Sequence, residues 1–373
     1  MKSLPHATPA EAEIRARIAA RGRIPFEEFM ELALYHPAGG YYTRESTTTG
    51  NAGDFSTSSD LSPAFGQRIA LQVAEFVTAL GSGAWDLVEL GPGRGLLAAD
   101  LLDGLAANAP EVYARLRSLT LVETSGSLRA HQHRRLANRL GAIELRQVAS
   151  LEELGRDSLR GVVVANELFD ALPVHWVVRR GLHLLERAVA IDDNGALVLV
   201  DGDEPNQDVL WRIDQYGLCA GEGFSGEVCL AAESLIREVG RVLARGAAVV
   251  IDYGHDARTL TYPERSDGTL MSYWKHQAQH DLLARPGLQD ITAHVNWTQL
   301  EKVAQRAGFT VAGRTTQDKF LLSLGILDDM LGVAQPALAA RALVLASGAG
   351  RRFQISLWTK GLDIEPRGLR WQF

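Results

Sequence analysis

Trp85-Asp-Leu-Val-Glu-Leu-Gly-Pro-Gly-Arg-Gly95 reads as a short apolar strand that runs straight into a turn with glycine at alternate positions. A run of this length, closed by Gly and Pro, has the pattern of a buried strand, and the Leu- and Ala-rich stretch Leu96 to Ala107 predicts a helix directly after the turn. Outward from this point the chain alternates. Strands are expected at Leu119 to Glu123, Ile143 to Val148 and Gly161 to Ala165, with a helix through Arg129 to Leu140 between the first two. After a helix at Ala231 to Leu243, the apolar run Ala247 to Tyr253 returns the chain to the same pattern. Alternation of this kind predicts an α/β fold with a parallel, doubly wound sheet. Ligands of such sheets sit beyond the carboxyl ends of the strands, where the first βα turn lies.

The flanking segments differ in character. Ala10 to Arg21 is rich in helix formers, and Phe26, Phe29, Met30 and Leu34 recur at helical spacing, so helices open the chain. Tyr35-His-Pro-Ala-Gly-Gly-Tyr-Tyr42 ends them, and a polar stretch from Ser46 to Ser62 follows. Long polar loops inside compact domains commonly cover ligands, which makes Gly53-Asp-Phe-Ser-Thr-Ser58 a candidate cover. Val174 to Arg179, Leu184 to Ile191 and Ala196 to Val200 read as strands, with hairpin chemistry at Asp192-Asp-Asn-Gly195. A polar loop is expected from Gly254 to Asp290, a helix over Trp297 to Ala307, and strands at Thr310 to Arg314, Phe320 to Leu324 and Phe353 to Trp358. The resulting division is a helical segment and cover loop (1–62), a core (63–173), a β-rich insertion (174–230), and the rest of the core sheet with a C-terminal lobe (231–373).

Composition narrows the function classes. The chain has 373 residues, enough for two or three domains, and 46% hydrophobic against 22% charged residues is the balance of a globular protein. Lys and Arg number 38 against 45 Asp and Glu, a net charge of -7, so nucleic acid is a poor candidate partner. Two cysteines, Cys219 and Cys229, are too few for a disulfide framework and lack zinc-site spacing. Met1 to Gly22 has no apolar h-region, and no later stretch suffices to insert in a bilayer, so a cytoplasmic setting is expected. Oligomeric state is left open.

The glycine spacing bears on the ligand. A dinucleotide fold uses G-x-G-x-x-G to hold a pyrophosphate, which argues against a nicotinamide oxidoreductase here. Glu89-Leu-Gly91-Pro-Gly93-Arg-Gly95 instead has the E/D-x-G-x-G-x-G form, which resembles the first motif of class I S-adenosyl-L-methionine (SAM) methyltransferases. Glu123 ends the second strand, where a carboxylate can accept hydrogen bonds from both ribose hydroxyls. Ser150 and Leu151, after the third strand, are then expected near the adenine.

Val162-Val-Val-Ala-Asn166-Glu167-Leu-Phe-Asp170-Ala-Leu-Pro173-Val-His175 delivers an amide and two carboxylates to the edge of a buried strand. Unpaired charge there is costly unless a ligand meets it. Asn166 or Asp170 could instead cap the following turn, which leaves Glu167 unexplained. Read as a site, Asn166, Glu167 and Asp170 can hold an amine or guanidinium by charge-assisted hydrogen bonds and stabilise positive charge that builds on its nitrogen. Glu167 or Asp170 would accept the proton, and His175 reads as structural.

Gly39-Gly-Tyr-Tyr42, Gly53-Asp-Phe-Ser-Thr57, Pro63-Ala-Phe-Gly66, the glycine turn, Asn166 to Pro173, Ile251-Asp-Tyr-Gly254 and Asp290-Ile-Thr-Ala-His-Val295 together resemble the MidA family. The resemblance implies a class I, Rossmann-like SAM-dependent methyltransferase with N-terminal helices and an inserted β lobe. For its mitochondrial members it implies symmetric dimethylation of an arginine on the 49-kDa-type subunit of NADH dehydrogenase, in complex I assembly. It places Glu89, Gly91, Gly93, Gly95 and Glu123 on SAM, Asp54 and Ser58 in the cover over the site, and Asn166, Glu167 and Asp170 toward a protein substrate presenting an arginine. Asp290 and His294 belong to a matching string without an assigned role. Ser58-Ser-Asp60 stands where relatives tend to have a Pro-Glu pair. Two other readings remain open: a methyltransferase of a different substrate, and a catalytically silent SAM-binding assembly factor.

Overall fold

The computed structural model describes residues 7–44, 58–218, 221–262, 265–275, 277–331, 335–345 and 350–370. Its main sheet contains β1 (Trp85–Leu90), β2 (Leu116–Val122), β3 (Glu144–Val148), β4 (Leu159–Asn166), β5 (Leu243–His255), β6 (Thr310–Thr316) and β7 (Phe353–Lys360). Their order is β6-β7-β5-β4-β1-β2-β3, with Val295–Asn296 adding a short parallel pairing at the end of β5. β1 to β5 are parallel, and β7 runs antiparallel to both β5 and β6. The chain winds outward from β1 to β3 and then returns to β4 on the other side of β1. That reversal opens a crevice at the carboxyl ends of β1 and β4.

The apolar runs explain the layering. Along β1 and β4, Leu87, Val162 and Val164 bury on one face and Val88, Leu90, Val163 and Ala165 on the other, so a strand buried on both sides needs no polar alternation. One face is covered by α3 (Ala64–Leu80) and α4 (Leu96–Asn108), through side chains such as Phe65, Val73, Phe76 and Leu101. The other is covered by α6 (Leu230–Val242) and α7 (Trp297–Arg306), through Ile236, Val239, Trp297 and Leu300. Each such buried side chain contributes roughly 1.5–3 kcal/mol. Between them in sequence, α5 (Gly126–Leu136) follows β2, its N-terminus capped by the Ser125 hydroxyl, which accepts from Leu128 N–H.

A second sheet of five antiparallel strands holds His175–Arg180, His183–Ile191, Leu197–Asp201, Ser225–Val228 and, from the start of the chain, Arg23–Pro25. The N-terminal helices α1 (Pro9–Arg21) and α2 (Phe26–Tyr35) pack on it: Ile14, Ile18, Phe26, Phe29 and Met30 share a core with Val174, Val189 and Ile291. Segments written apart in the sequence thus build one lobe beside the main sheet.

Two expectations are corrected. Phe320 to Leu324 lies in and just beyond the helix Gln317–Ser323, with Phe320, Leu321 and Leu324 turned into the core on one helical face; an apolar run this short has no period that separates helix from strand. The stretch from Gly254 to Asp290 is also more than loop. It includes Met271–Trp274 and Gln277–Gln279, which form a small antiparallel sheet with Asp290–Thr292.

Candidate active site

The carboxyl ends of β1, β2 and β4 converge on a cavity of about 300 Å³. β1 ends in the glycine turn, where Gly91, Gly93 and Gly95 take φ of +60°, +49° and +72°. L side chains resist this left-handed region. A Cβ on Gly91 would also lie 2.8 Å from Leu168 Cδ1, whereas one on Gly93 would meet nothing within 4 Å and project into open space. Gly91 and Gly93 line the cavity. Gly95 does not line it but starts α4, while Gln132 packs behind it and donates from Nε2 to Gly93 O at 2.8 Å.

Glu89 and Glu123 are the acids at the ends of β1 and β2. Burial pushes the Glu89 carboxyl up to about 8, and its Oε2 has no hydrogen-bond partner among the described residues. Burial likewise pushes Glu123 up to about 7, and this carboxylate accepts from Ser125 N–H at 2.8 Å while facing the cavity. Beyond β3 the cavity is lined by Ala149 and not by Ser150 or Leu151. The Ser150 hydroxyl instead accepts from Glu152 N–H and caps the short turn Leu151–Glu153, and Leu151 turns into the core. Neither side chain therefore faces the cavity, against the expectation that they stand near the adenine.

Asp54 lies outside the described residues. Ser58 is buried, with its hydroxyl on Gln317 Oε1 at 3.1 Å and its N–H donated to Glu167 Oε1 at 3.1 Å. Its neighbours Ser59 and Asp60 line the cavity, and Asp60 pairs with Arg94 of the glycine turn.

At the end of β4, Glu167 adopts φ +50°, a strained backbone for a non-glycine residue that costs on the order of 1–3 kcal/mol. Its N–H donates to Ile251 O at 2.9 Å, and Oε1 also accepts from Asn166 Nδ2 at 3.4 Å. Glu167 Oε2 and Asn166 Oδ1 are buried without a partner among the described residues. Burial, and then Asp170 nearby, push the Glu167 carboxyl up to about 8. Asp170 is held well above the ordinary carboxylate range by burial and by the adjacent Asp252 and Asp290. Asp252 shapes this turn by accepting from Phe169 N–H at 2.8 Å and Asp170 N–H at 3.3 Å. The short helical turn Phe169–Ala171 has Leu168 at its N-cap and no side-chain cap, so neither Asn166 nor Asp170 serves as one. His175 pairs with Glu186 in the side lobe, away from the cavity.

The far wall comes from elements the sequence reading left without a role. Tyr35, Tyr41, Tyr42 and Asp290 line the cavity. Tyr42 OH donates to Asp290 Oδ1 at 2.8 Å, Tyr35 OH donates to Ala171 O at 3.0 Å, and the Tyr35 and Tyr42 rings stack with centroids 5.5 Å apart. Tyr41 and Tyr42 stand in Gly39-Gly-Tyr-Tyr42, one of the strings on which the family resemblance rests, and that was the signal available. His294 packs edge-on against Tyr253 outside the cavity, and burial pushes it down to about 4.

A family model described as "Putative S-adenosyl-L-methionine-dependent methyltransferase" matches residues 68–315. The chain belongs to the MidA-like family of SAM-dependent methyltransferases. Mouse "Protein arginine methyltransferase NDUFAF7, mitochondrial" is 32% identical over 86% of this chain and 74% of its own length. The zebrafish protein of that name is 30% identical over 91% and 84%. A Burkholderia thailandensis protein, crystallised with S-adenosyl-homocysteine bound, superposes with a TM-score of 0.87 at 35% identity, over 99% of this chain and 98% of that chain.

The residues present suit the family's cofactor. Among the described residues lining the cavity, six carboxylates (Asp60, Glu89, Glu123, Glu167, Asp170 and Asp290) face one cation, Arg94, which is already paired with Asp60. So many acids in a buried space must hold protons or meet a cationic ligand, and SAM carries both a sulfonium and an ammonium. Gly93 leaves open space beside the backbone for it, Glu123 can accept from its ribose, and Glu89 offers an unpartnered oxygen. When bound, SAM supplies the activated methyl group.

Proposed function

We propose that this methyltransferase acts on the side chain of an arginine in a protein substrate. The observation that carries the reading is the pair of unpartnered buried acceptors at the end of β4, Asn166 Oδ1 and Glu167 Oε2, with Asp170 beside them. A guanidinium brings five N–H donors in a planar fork and suits such a set of oxygens. It stays protonated at neutral pH, so a proton must leave the nitrogen as it is alkylated or afterwards. Glu167 is suited to take it: its Oε2 is uncommitted, and a guanidinium beside it favours the ionised, proton-accepting form of the carboxyl. Asn166, whose Nδ2 donates to Glu167 Oε1, and the Ser58 N–H fix the carboxylate's direction.

The shared name of the mouse and zebrafish relatives supports arginine as the acceptor. The family resemblance extends the proposal to symmetric dimethylation and to a subunit of a complex I type NADH dehydrogenase as the protein modified. The test is to incubate the purified chain with isotopically labelled SAM and a lysate of its source cells, then locate the label by mass spectrometry. Label on arginine side chains of a discrete protein is expected. Label confined to lysines, to other side chains or to small molecules would overturn the proposal.

A further inference from the structure

We propose that Ser59 Oγ and Arg94 Nε together hold the α-carboxylate of SAM, whichever side chain the enzyme methylates. Both residues line the cavity, and both donor atoms are buried without a hydrogen-bond partner among the described residues. Ser59 is 8% exposed, so its hydroxyl is withdrawn from bulk water as well. A buried donor left unmatched is destabilising, and an acceptor brought by a ligand relieves it.

Position brings the two donors to the same side of the cavity. Ser58 is fixed on one side of Ser59, its N–H on Glu167 Oε1 and its hydroxyl on Gln317 Oε1, both at 3.1 Å. Asp60 on the other side pairs with Arg94, so the ion pair seats the Ser59 segment against the glycine turn. The turn is itself held in place: Gln132 Nε2 donates to Gly93 O at 2.8 Å, and Arg135 Nε donates to Arg94 O at 3.0 Å. Asp60 engages Nη2 of Arg94, which leaves Nε as a separate donor of the same guanidinium.

Charge selects the group that these donors take. SAM and S-adenosyl-homocysteine each end in an ammonium and a carboxylate on one carbon. The ammonium has several acids to choose from in this cavity. A carboxylate set beside Glu89, Glu123, Glu167 or Asp170 would instead meet like charge, or a group that has to be protonated to receive it. Arg94 is the one cation lining the cavity among the described residues, and the charge of its neighbour Asp60 is already met by the pairing. The Ser59 hydroxyl adds a second donor, and hydrogen bonds to an ionised acceptor are roughly twice as strong as neutral ones.

The probes are S-adenosyl-homocysteine and 5′-deoxy-5′-(3-aminopropylthio)adenosine, which differs from it only in lacking the carboxylate, each titrated calorimetrically into the full chain. Ser59→Ala should weaken S-adenosyl-homocysteine by about 10-fold and leave the decarboxylated compound within about twofold of wild type. Arg94→Met should weaken S-adenosyl-homocysteine by about 10- to 100-fold, and the decarboxylated compound much less. The melting temperature of ligand-free Ser59→Ala should equal or exceed that of wild type, because the hydroxyl removed has no partner in the protein. Unchanged affinity for S-adenosyl-homocysteine in Ser59→Ala, or equal losses for the two compounds in either variant, would overturn the proposal. A lowered melting temperature with equal losses would give Ser59 a structural role instead.

Discussion

The main-chain N–H of Ser58 donates to Glu167 Oε1 at 3.1 Å, joining the end of the polar stretch to a carboxylate 109 positions later. The contact fixes one oxygen of Glu167, while Oε2 is buried with no hydrogen-bond partner among the described residues. Glu167→Gln keeps the size and the acceptor for Ser58 but removes the proton-accepting group. Methyl transfer in single-turnover assays should drop by about 10²- to 10⁴-fold, with S-adenosyl-homocysteine affinity by calorimetry nearly unchanged. Undiminished transfer would remove Glu167 from the chemistry.

Gly93 lines the cavity and combines a left-handed backbone with a Cβ position that meets nothing within 4 Å. Gly93→Val puts a β-branched side chain where the backbone must approach the cofactor and adds strain of about 1–2 kcal/mol. Calorimetry should show at least a tenfold weaker hold on S-adenosyl-homocysteine, with circular dichroism confirming that the chain is folded. Normal affinity would place the cofactor somewhere other than this turn.

Glu123 is held in direction by the Ser125 N–H, and its carboxylate faces the cavity. Glu123→Ala should cost about 1.5–3 kcal/mol of cofactor binding, roughly 10- to 100-fold, if both ribose hydroxyls bond there. Comparison of S-adenosyl-homocysteine with its 2′-deoxy analogue checks the assignment: the analogue should lose less than the parent compound on mutation. Equal losses would remove the ribose contact from Glu123.

The pH dependence follows from the buried acids. Glu89 and Glu167 are pushed up to about 8 and Glu123 to about 7, against an ordinary value of 4.5. Between those limits the folded chain binds more protons than the unfolded one, so stability falls as pH rises. The contribution of these groups is complete below about 4.5 and is lost as pH passes through 7 to 8. The melting temperature of the ligand-free protein should therefore decline by several degrees between pH 6 and pH 9, at about 1–2 °C for each kcal/mol lost. S-adenosyl-homocysteine, which brings an ammonium, should lessen that decline. A melting temperature that stays level or rises across this range would show that the carboxyls are not buried as described.

What could be read from the amino acids alone was whatever neighbours along the chain dictate. Apolar runs closed by Gly and Pro mark β1 and β4, alternate glycines mark the turn, and acids at strand ends fall where a doubly wound sheet must open. Those signals are local, because periodicity and turn chemistry depend on a few consecutive residues. Tertiary structure decided what long-range contact decides. Tyr42 meets Asp290 across 248 positions, and a three-residue strand at Arg23–Pro25 joins an insertion that begins about 150 residues later. No period in the sequence records such pairings. It also decided matters finer than a local pattern resolves, such as Phe320 falling in a helix and Ser150 turning to cap its own backbone. The physical reason is the same throughout: backbone geometry is chosen locally, whereas the partners of a buried polar group are chosen by whichever distant element packs against it.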